Sequence, residues 1–309
     1  MERRSLYILG AALLSTAFFL GSQYVAPIAL LLNMFGPVPA AYVHMRQGPL
    51  AGVVVIVLSC ALLLMLLPPV LTLGFLLQYG VVAFFVPFFL RRGHAWDRTL
   101  VLTVWAGIAI ALPLLLAVSQ GQGLSPGEMV RQEGRQVIDQ ALRFYDEGNL
   151  PAQEREALEQ TLTALAEVFV RIYPAVTIVL LGVLAAVVVL LLHLFAKGRY
   201  AVPGPAFAQW KAPDALIWPV IVAGFALLLE QATVKTLALN VLVVLLPVYF
   251  AQGLAVVTHY LRRRSVSPVF RSLIYFLIFV LNPLPMFVTA MGVFDIWIDF
   301  RKPKLQKTS

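Results

Sequence analysis

Charge is scarce in this chain. Lys, Arg, Asp and Glu make up 12% of its 309 residues, against roughly a quarter in a soluble domain. With 61% hydrophobic residues and a mean hydropathy of +0.87, no soluble fold could hide so much apolar surface. Lipid must solvate much of it. Cysteine is almost missing. The single Cys60 excludes a disulfide within the chain and a cysteine-based metal site. The four histidines, His44, His94, His193 and His259, share no ligand spacing such as H-E-x-x-H, so no metal is expected. There is no Gly-rich phosphate loop, no G-x-S-x-G, and no pair of carboxylates at helical spacing within an apolar run. Gly121-Gln122-Gly123 is too short to cradle a phosphate. These absences point away from an enzyme and from any bound cofactor.

What is present is a series of long runs without Asp, Glu, Lys or Arg: 5–43, 47–90, 99–127, 172–196, 215–229, 236–261 and 272–294. About 20 apolar residues cross a bilayer as a helix, and two of these runs are long enough for a pair. Helix breakers divide them. The segments expected are about Leu6–Gly21, Ala26–Val43 with a kink at Gly36-Pro37, Leu50–Leu67, Val70–Leu90 after Pro68-Pro69, and Thr99–Val118. Later come Phe169–Ala196, Ala215–Leu229, Thr236–Leu261 and Ser272–Ile298, the last interrupted by Asn282-Pro283-Leu284-Pro285. The start, Met1-Glu2-Arg3-Arg4 before an apolar stretch, reads as an uncleaved first helix because more apolar sequence follows directly.

Residues 119–168 differ from the rest. They are polar and rich in helix formers. Ser125-Pro126-Gly127-Glu128 forms a helix start with a capping box. Val130, Val137, Ile138, Ala141, Leu142 and Tyr145 then share one face, and Gly148-Asn149 stops the helix. A second helix begins near Pro151 and runs into the membrane segment that follows. The expectation is a short antiparallel helical hairpin outside the membrane, between an N-terminal bundle (1–118) and a C-terminal one (169–309).

The formal net charge is +8, which in a soluble protein would raise the question of nucleic acid. Here the positions of the charges explain it. With the N-terminus in the cytoplasm, Arg3, Arg4, Arg46, Arg91, Arg92, Arg98, Lys197, Arg199, Lys211, Arg262, Arg263, Arg264 and Arg271 all fall inside, while the outer hairpin carries more acids than bases. That is a positive-inside pattern. The basic tail, Arg301, Lys302, Lys304 and Lys307, also belongs inside. It returns there if 272–298 is a tight or re-entrant hairpin turning at Asn282–Pro285.

Polar residues at membrane depth are costly and mark candidate sites. Asn33, Gln78, Asn240, Gln252 and Asn282 lie inside apolar runs. Each has a plain reading as an interhelical hydrogen bond. The functional alternative is a cavity for a small amphipathic solute, lined by Gln78, Tyr79, Tyr249 and Gln252, with Glu230 as a cation or proton site. Glu230 also reads as an interfacial carboxylate offset by Lys235. Asp295 reads as a juxtamembrane partner of Arg301 or Lys302. Arg262-Arg263-Arg264 reads as a topology signal in contact with anionic lipid, or as a docking surface for a cytoplasmic protein.

The C-terminal third carries a resemblance. Asn240 with Tyr249-Phe250-Ala251-Gln252-Gly253-Leu254-Ala255, the closing Gly292-Val293-Phe294-Asp295-Ile296-Trp297-Ile298-Asp299-Phe300-Arg301-Lys302, and Phe207 with Trp210-Lys211-Ala212-Pro213 resemble the YybS-like bacterial membrane proteins. That is an inner-membrane group of unknown function. The group is in turn similar to substrate-binding components of energy-coupling-factor transporters and to the cell-shape protein MreD. The resemblance implies that a small-xxx-small pattern on the first helix docks a coupling subunit; the nearest matches are Ala11-xxx-Ser15 and Ala12-xxx-Thr16.

The sequence therefore leads to an all-α polytopic bundle of about nine or ten transmembrane segments with a small extracytoplasmic helical hairpin. The setting expected is a bacterial inner membrane, with lipid and no nucleic acid as partner. The work expected is binding or transport of a small solute. The alternative is a scaffold that recruits protein partners in an envelope or cell-shape complex.

Overall fold

Long apolar runs satisfy every backbone donor and acceptor internally only as helices. Among the described residues all the regular elements are helical. The computed structural model describes residues 2–25, 28–132, 134–135 and 152–302. In chain order the helices are α1 (Glu2–Tyr24), α2 (Ala29–Phe35), α3 (Val38–Gln47), α4 (Pro49–Leu66), α5 (Pro69–Phe75) and α6 (Val81–Arg91), the last two joined by a π turn at Leu76–Gly80. Then come α7 (Trp96–Gln122), α8 (Ala152–Ala196), α9 (Ile217–Ala226), α10 (Ala232–Arg263), α11 (Pro268–Val280) and α12 (Leu284–Ile298).

Six of these stretches are long and apolar enough to cross a membrane: Arg4–Tyr24, Pro49–Leu66, Pro69–Arg91, Trp96–Gly121, Glu156–Ala196 and Ala232–Arg263. The number rises to seven if α11 and α12, bent by 102° at their junction, form one broken span. This is fewer than the nine or ten read from the runs. The stretch 26–43 is divided between α2 and α3, seven and ten residues long. Pro37 fixes its own φ and lacks an N–H, which favours a break at Gly36-Pro37. The run 215–229 yields only the ten residues of α9. Apolar length alone overcounts spans where a break falls inside the run.

The helix start expected at 125 is present. The Ser125 N–H donates to Glu128 Oε2 at 2.7 Å, and the Glu128 N–H donates to Ser125 Oγ at 3.3 Å. Hydrogen bonding from the Ser125 side chain and backbone N–H holds the Glu128 carboxyl below its usual range. Residues 126–132 and 134–135 are helical. The rest of that first hairpin helix, with Val137–Tyr145 and the stop at Gly148-Asn149, lies outside the described residues. The second helix runs without interruption into the membrane stretch, as the 45 residues of α8.

The chain divides into two compact units. The first is Met1–Glu133 with Leu180–Gly204; the second is Gly134–Val179 with Pro205–Ser309. In the first unit, α1 packs on α3 and α4, α3 on α4 and α6, and α6 on α7. Its core joins Ala11, Ala12, Phe19, Val55, Leu63 and Phe75 to Ala185, Val188 and Leu192 of the second half of α8. The small face of α1 is used here. Ala11, Ala12, Ser15 and Thr16 are buried, and the Ser59 hydroxyl of α4 donates to the Ala12 carbonyl at 3.2 Å. A face spent on α4 is not free to dock a coupling subunit, which corrects the role that the resemblance assigned to it.

In the second unit α10 is the spine. It packs on α9 and, most extensively, on α12. The α10–α12 crossing is close because two glycines meet there. A Cβ on Gly253 would collide with the Val288 carbonyl, and one on Gly292 with the Tyr249 carbonyl. The α11–α12 pair begins four residues after α10 ends. It closes at Phe300, whose carbonyl accepts a 2.5 Å hydrogen bond from the Tyr260 hydroxyl near the end of α10. Thr258 and Tyr275 hydroxyls meet at 2.8 Å, and the Phe250 and Phe279 rings lie 5.4 Å apart, so α11 runs back along α10. The pair therefore starts and finishes near one end of α10.

Candidate functional site

The strongest polar constellation lies in the second unit, where the C-terminal half of α10 meets the end of α12. Asp295, three residues before the end of α12, is wholly buried. The chain then turns at Asp299, whose left-handed φ of 45° returns the following segment over the helix end. That turn carries Arg301 to Asp295. The two side chains form an ion pair in which the guanidinium is 7% exposed and the carboxylate 0%. Asp295 Oδ1 accepts from the Phe300 N–H at 3.1 Å, and Oδ2 accepts from Gln252 Nε2 at 3.1 Å as well as from Arg301. Arg301 also donates to the Trp210 carbonyl at 2.8 Å, and the Ala212 N–H donates to Gln252 Oε1 at 3.1 Å.

These bonds tie three parts of the chain together: α10 through Gln252, α12 and the turn after it through Asp295 and Arg301, and the 205–213 segment through Trp210 and Ala212. A second pair lies beside the first. Lys211 reaches Asp299 at 3.0 Å, with Lys302 at 3.6 Å on the other carboxylate oxygen. The hydrogen bond from Lys211 holds the Asp299 carboxyl below its usual range. Chemically, the knot pairs every acceptor it buries, while the Arg301 Nε–H has no partner among the described residues. Asp295 is saturated by three donors and Gln252 is engaged at both ends of its amide. Breaking one buried partner of such a pair leaves an uncompensated charge and costs about 3–5 kcal/mol.

The five residues expected to line a solute cavity fall in both units. Tyr249 and Gln252 share the buried face of α10 at the glycine crossing; both are fully buried. The Tyr249 hydroxyl has no hydrogen-bond partner among the described residues. Glu230 is exposed, in the turn before α10. It stands about 25 Å along the chain axis from Tyr249 at 1.5 Å per helical residue. In the first unit Gln78 and Tyr79 sit on the π turn, a geometry often found at functional positions. Gln78 is exposed. Tyr79 is buried against Phe19 and Phe75, and its hydroxyl donates to Asn33 Oδ1 at 2.7 Å.

Asn240 has a structural task that the sequence only hinted at. Its amide Nδ2 donates to the Arg171 carbonyl at 2.7 Å, and its Oδ1 accepts from the Ala175 N–H at 3.2 Å. Those are the two groups that an intact helix pairs with each other. Asn240 therefore clamps α8 at Pro174, where the missing N–H weakens the ladder. Asp295 was readable as a partner of Arg301. Its contact with Gln252, and the return of the 205–213 segment, were not. The available signal was a carboxylate six residues before an arginine at the end of an apolar run.

Among the described residues no group of three or more His, Cys, Asp or Glu could hold a metal ion. Compared with known proteins, the chain matches the family described as Predicted membrane protein (DUF2232) over residues 13–296. No curated protein and no solved structure matches it. The match spans most of the chain, so the chain belongs to that family, a group of membrane proteins.

Proposed function

We propose that this member of the DUF2232 family is a non-enzymatic, multi-pass protein of the bacterial inner membrane, with its N-terminus in the cytoplasm, that serves as a scaffold for a protein partner. The YybS-like and MreD resemblances belong to the same reading. One observation carries it: the Gln252–Asp295–Arg301 knot holds the 205–213 segment against α10 and the end of α12. About 15 Å further along α10 lie the exposed Arg262, Arg263 and Arg264. A buried ion pair is weak as a source of stability but well suited to fixing one geometry. A fixed, cationic end is what a docking surface needs.

The test is photocrosslinking from position 263 in the native host. Discrete protein adducts, lost when Asp295→Asn loosens the segment, are expected. Adducts to lipid alone would sink the reading.

A second reading, binding or transport of a small solute as a transporter substrate-binding component, is favoured by the buried Tyr249 hydroxyl without a partner. Its site would be Tyr249 and Gln252, extended by Gln78, Tyr79 and Glu230. A small-molecule adduct in native mass spectrometry that disappears in Tyr249→Phe would select this reading over the scaffold.

A further inference from the structure

The first unit has an end where cations gather without acids. In residues 1–127 the carboxylates are Glu2 and Asp97, set against Arg3, Arg4, Arg46, Arg91, Arg92 and Arg98. The fold brings several of these together. Arg4 at the start of α1 donates to the side chain and carbonyl of Gln47 at the end of α3, at 3.3 and 3.0 Å. Arg91 at the end of α6 donates to the Met45 carbonyl at 2.8 Å. After α8 the chain reverses at Lys197-Gly198, with φ of 41° and 75°. This turn delivers Arg199 to the same place.

There two guanidiniums converge on one oxygen. The Tyr42 hydroxyl accepts from Arg199 at 3.0 Å and from Arg46 at 3.4 Å. Arg46 also lies over the Tyr7 ring, 5.4 Å from its centroid, and 5.8 Å from that of Tyr42. Two cations held so near one another repel, and a phenol carries no charge to offset them at neutral pH. Among the described residues neither guanidinium meets a carboxylate, and the ion pairs there all lie in the second unit. Both arginines are exposed. The aromatic props hold the forks in position, and planar forks match the oxygens of a phosphate better than any other side chain.

We infer that Arg46 and Arg199, propped by Tyr42 and Tyr7, form a binding site for the phosphate of an anionic lipid headgroup. The lipid, not free phosphate, is specified by the neighbouring surface. Phe195 is exposed and packs edge-on against Tyr42 at 6.2 Å, and the Tyr7 ring under Arg46 is exposed as well. An apolar surface next to the forks suits acyl chains. This site is independent of the scaffold reading, which concerns the other unit.

The experiment uses the full chain in dodecyl maltoside, titrated by native mass spectrometry with phosphatidylglycerol, phosphatidylcholine and inorganic phosphate. One tight phosphatidylglycerol adduct is expected, with phosphatidylcholine at least tenfold weaker. At roughly fivefold per arginine, Arg46→Gln with Arg199→Gln should weaken phosphatidylglycerol about 30-fold. The triple change of Arg262, Arg263 and Arg264 to Gln should leave that adduct in place. Arg46→Lys with Arg199→Lys keeps the charge and loses the forks, so it covers the case in which the Gln pair fails to fold; a loss of severalfold is expected. Wild-type affinity in either double variant overturns the site. So does equal binding of phosphatidylcholine. Inorganic phosphate that displaces the lipid at equal concentration overturns the lipid assignment.

Discussion

The two units hold their helices together by different chemistry. The first unit relies on shape: small residues on α1 meet α4, and Phe19, Phe75 and Tyr79 form an edge-to-face cluster with centroids 5.3–5.5 Å apart. The second unit has fewer large buried apolar side chains and holds Asp295, Gln252 and Arg301 at its centre instead. The contrast follows from the solvent. Lipid tails are as apolar as leucine, so burial of apolar surface gives helices in a bilayer little reason to choose one another. Close packing and hydrogen bonds remain, and each unit leans on one of them. The first leaves Arg46 and Arg199 exposed without a carboxylate among the described residues; the second draws Arg301 inward onto Asp295.

That contrast can be broken most strongly at Asp295. Asp295→Ala strands Arg301 and should lower the unfolding free energy by about 3–5 kcal/mol, measured by denaturant titration in mixed micelles. No single polar change in the first unit should approach this. Next is the glycine crossing. Gly292→Val drives a side chain into the Tyr249 carbonyl and should cost about 1–3 kcal/mol. Gly10→Val, which meets nothing within 4 Å, should stay within about 0.5 kcal/mol. A Gly10 variant as damaging as the Gly292 variant would remove the distinction.

Hydrogen bonds should scale the same way. Asn240→Leu removes both sides of the clamp at Pro174 and belongs near the upper end of membrane hydrogen bonds, about 1.7 kcal/mol. Ser59→Ala removes a single bond and should cost about 0.6 kcal/mol. The smallest effect is a pH dependence. Because Lys211 lowers the Asp299 carboxyl, its contribution is present above the ordinary carboxylate range and fades as pH falls through the lowered value. Asp299→Asn should flatten that acidic slope slightly, and a thermal-melt series from neutral to acidic pH reads it. An unchanged slope would mean that Lys211 contributes nothing in solution.

Much of the helical layout was legible because the signals are local. Charge-free runs gave the six long spans, and Ser125 with Glu128 gave a helix start three residues apart. The break at Gly36-Pro37 was visible as a kink, but not as two separate helices, because a proline's effect depends on what packs beside it. The candidate site was legible only in pieces. Gln252 and Asp295 are 43 residues apart, and nothing in either neighbourhood names the other. Gly253 and Gly292 matter through the register of two helices. Asn240 was singled out as polar in a run, yet its value lies in a proline 66 positions earlier. The small face of α1 shows the opposite error: a pattern that fits docking between chains also fits packing within one.

The α11–α12 pair starts and finishes at the same end of α10. In terms of sidedness it is a detour that cancels itself. Nearly thirty mostly apolar residues pass between Arg271 and Arg301 without carrying the chain to the opposite face of the molecule. Phe300 comes back to Tyr260, three residues from the end of α10 where the pair set out.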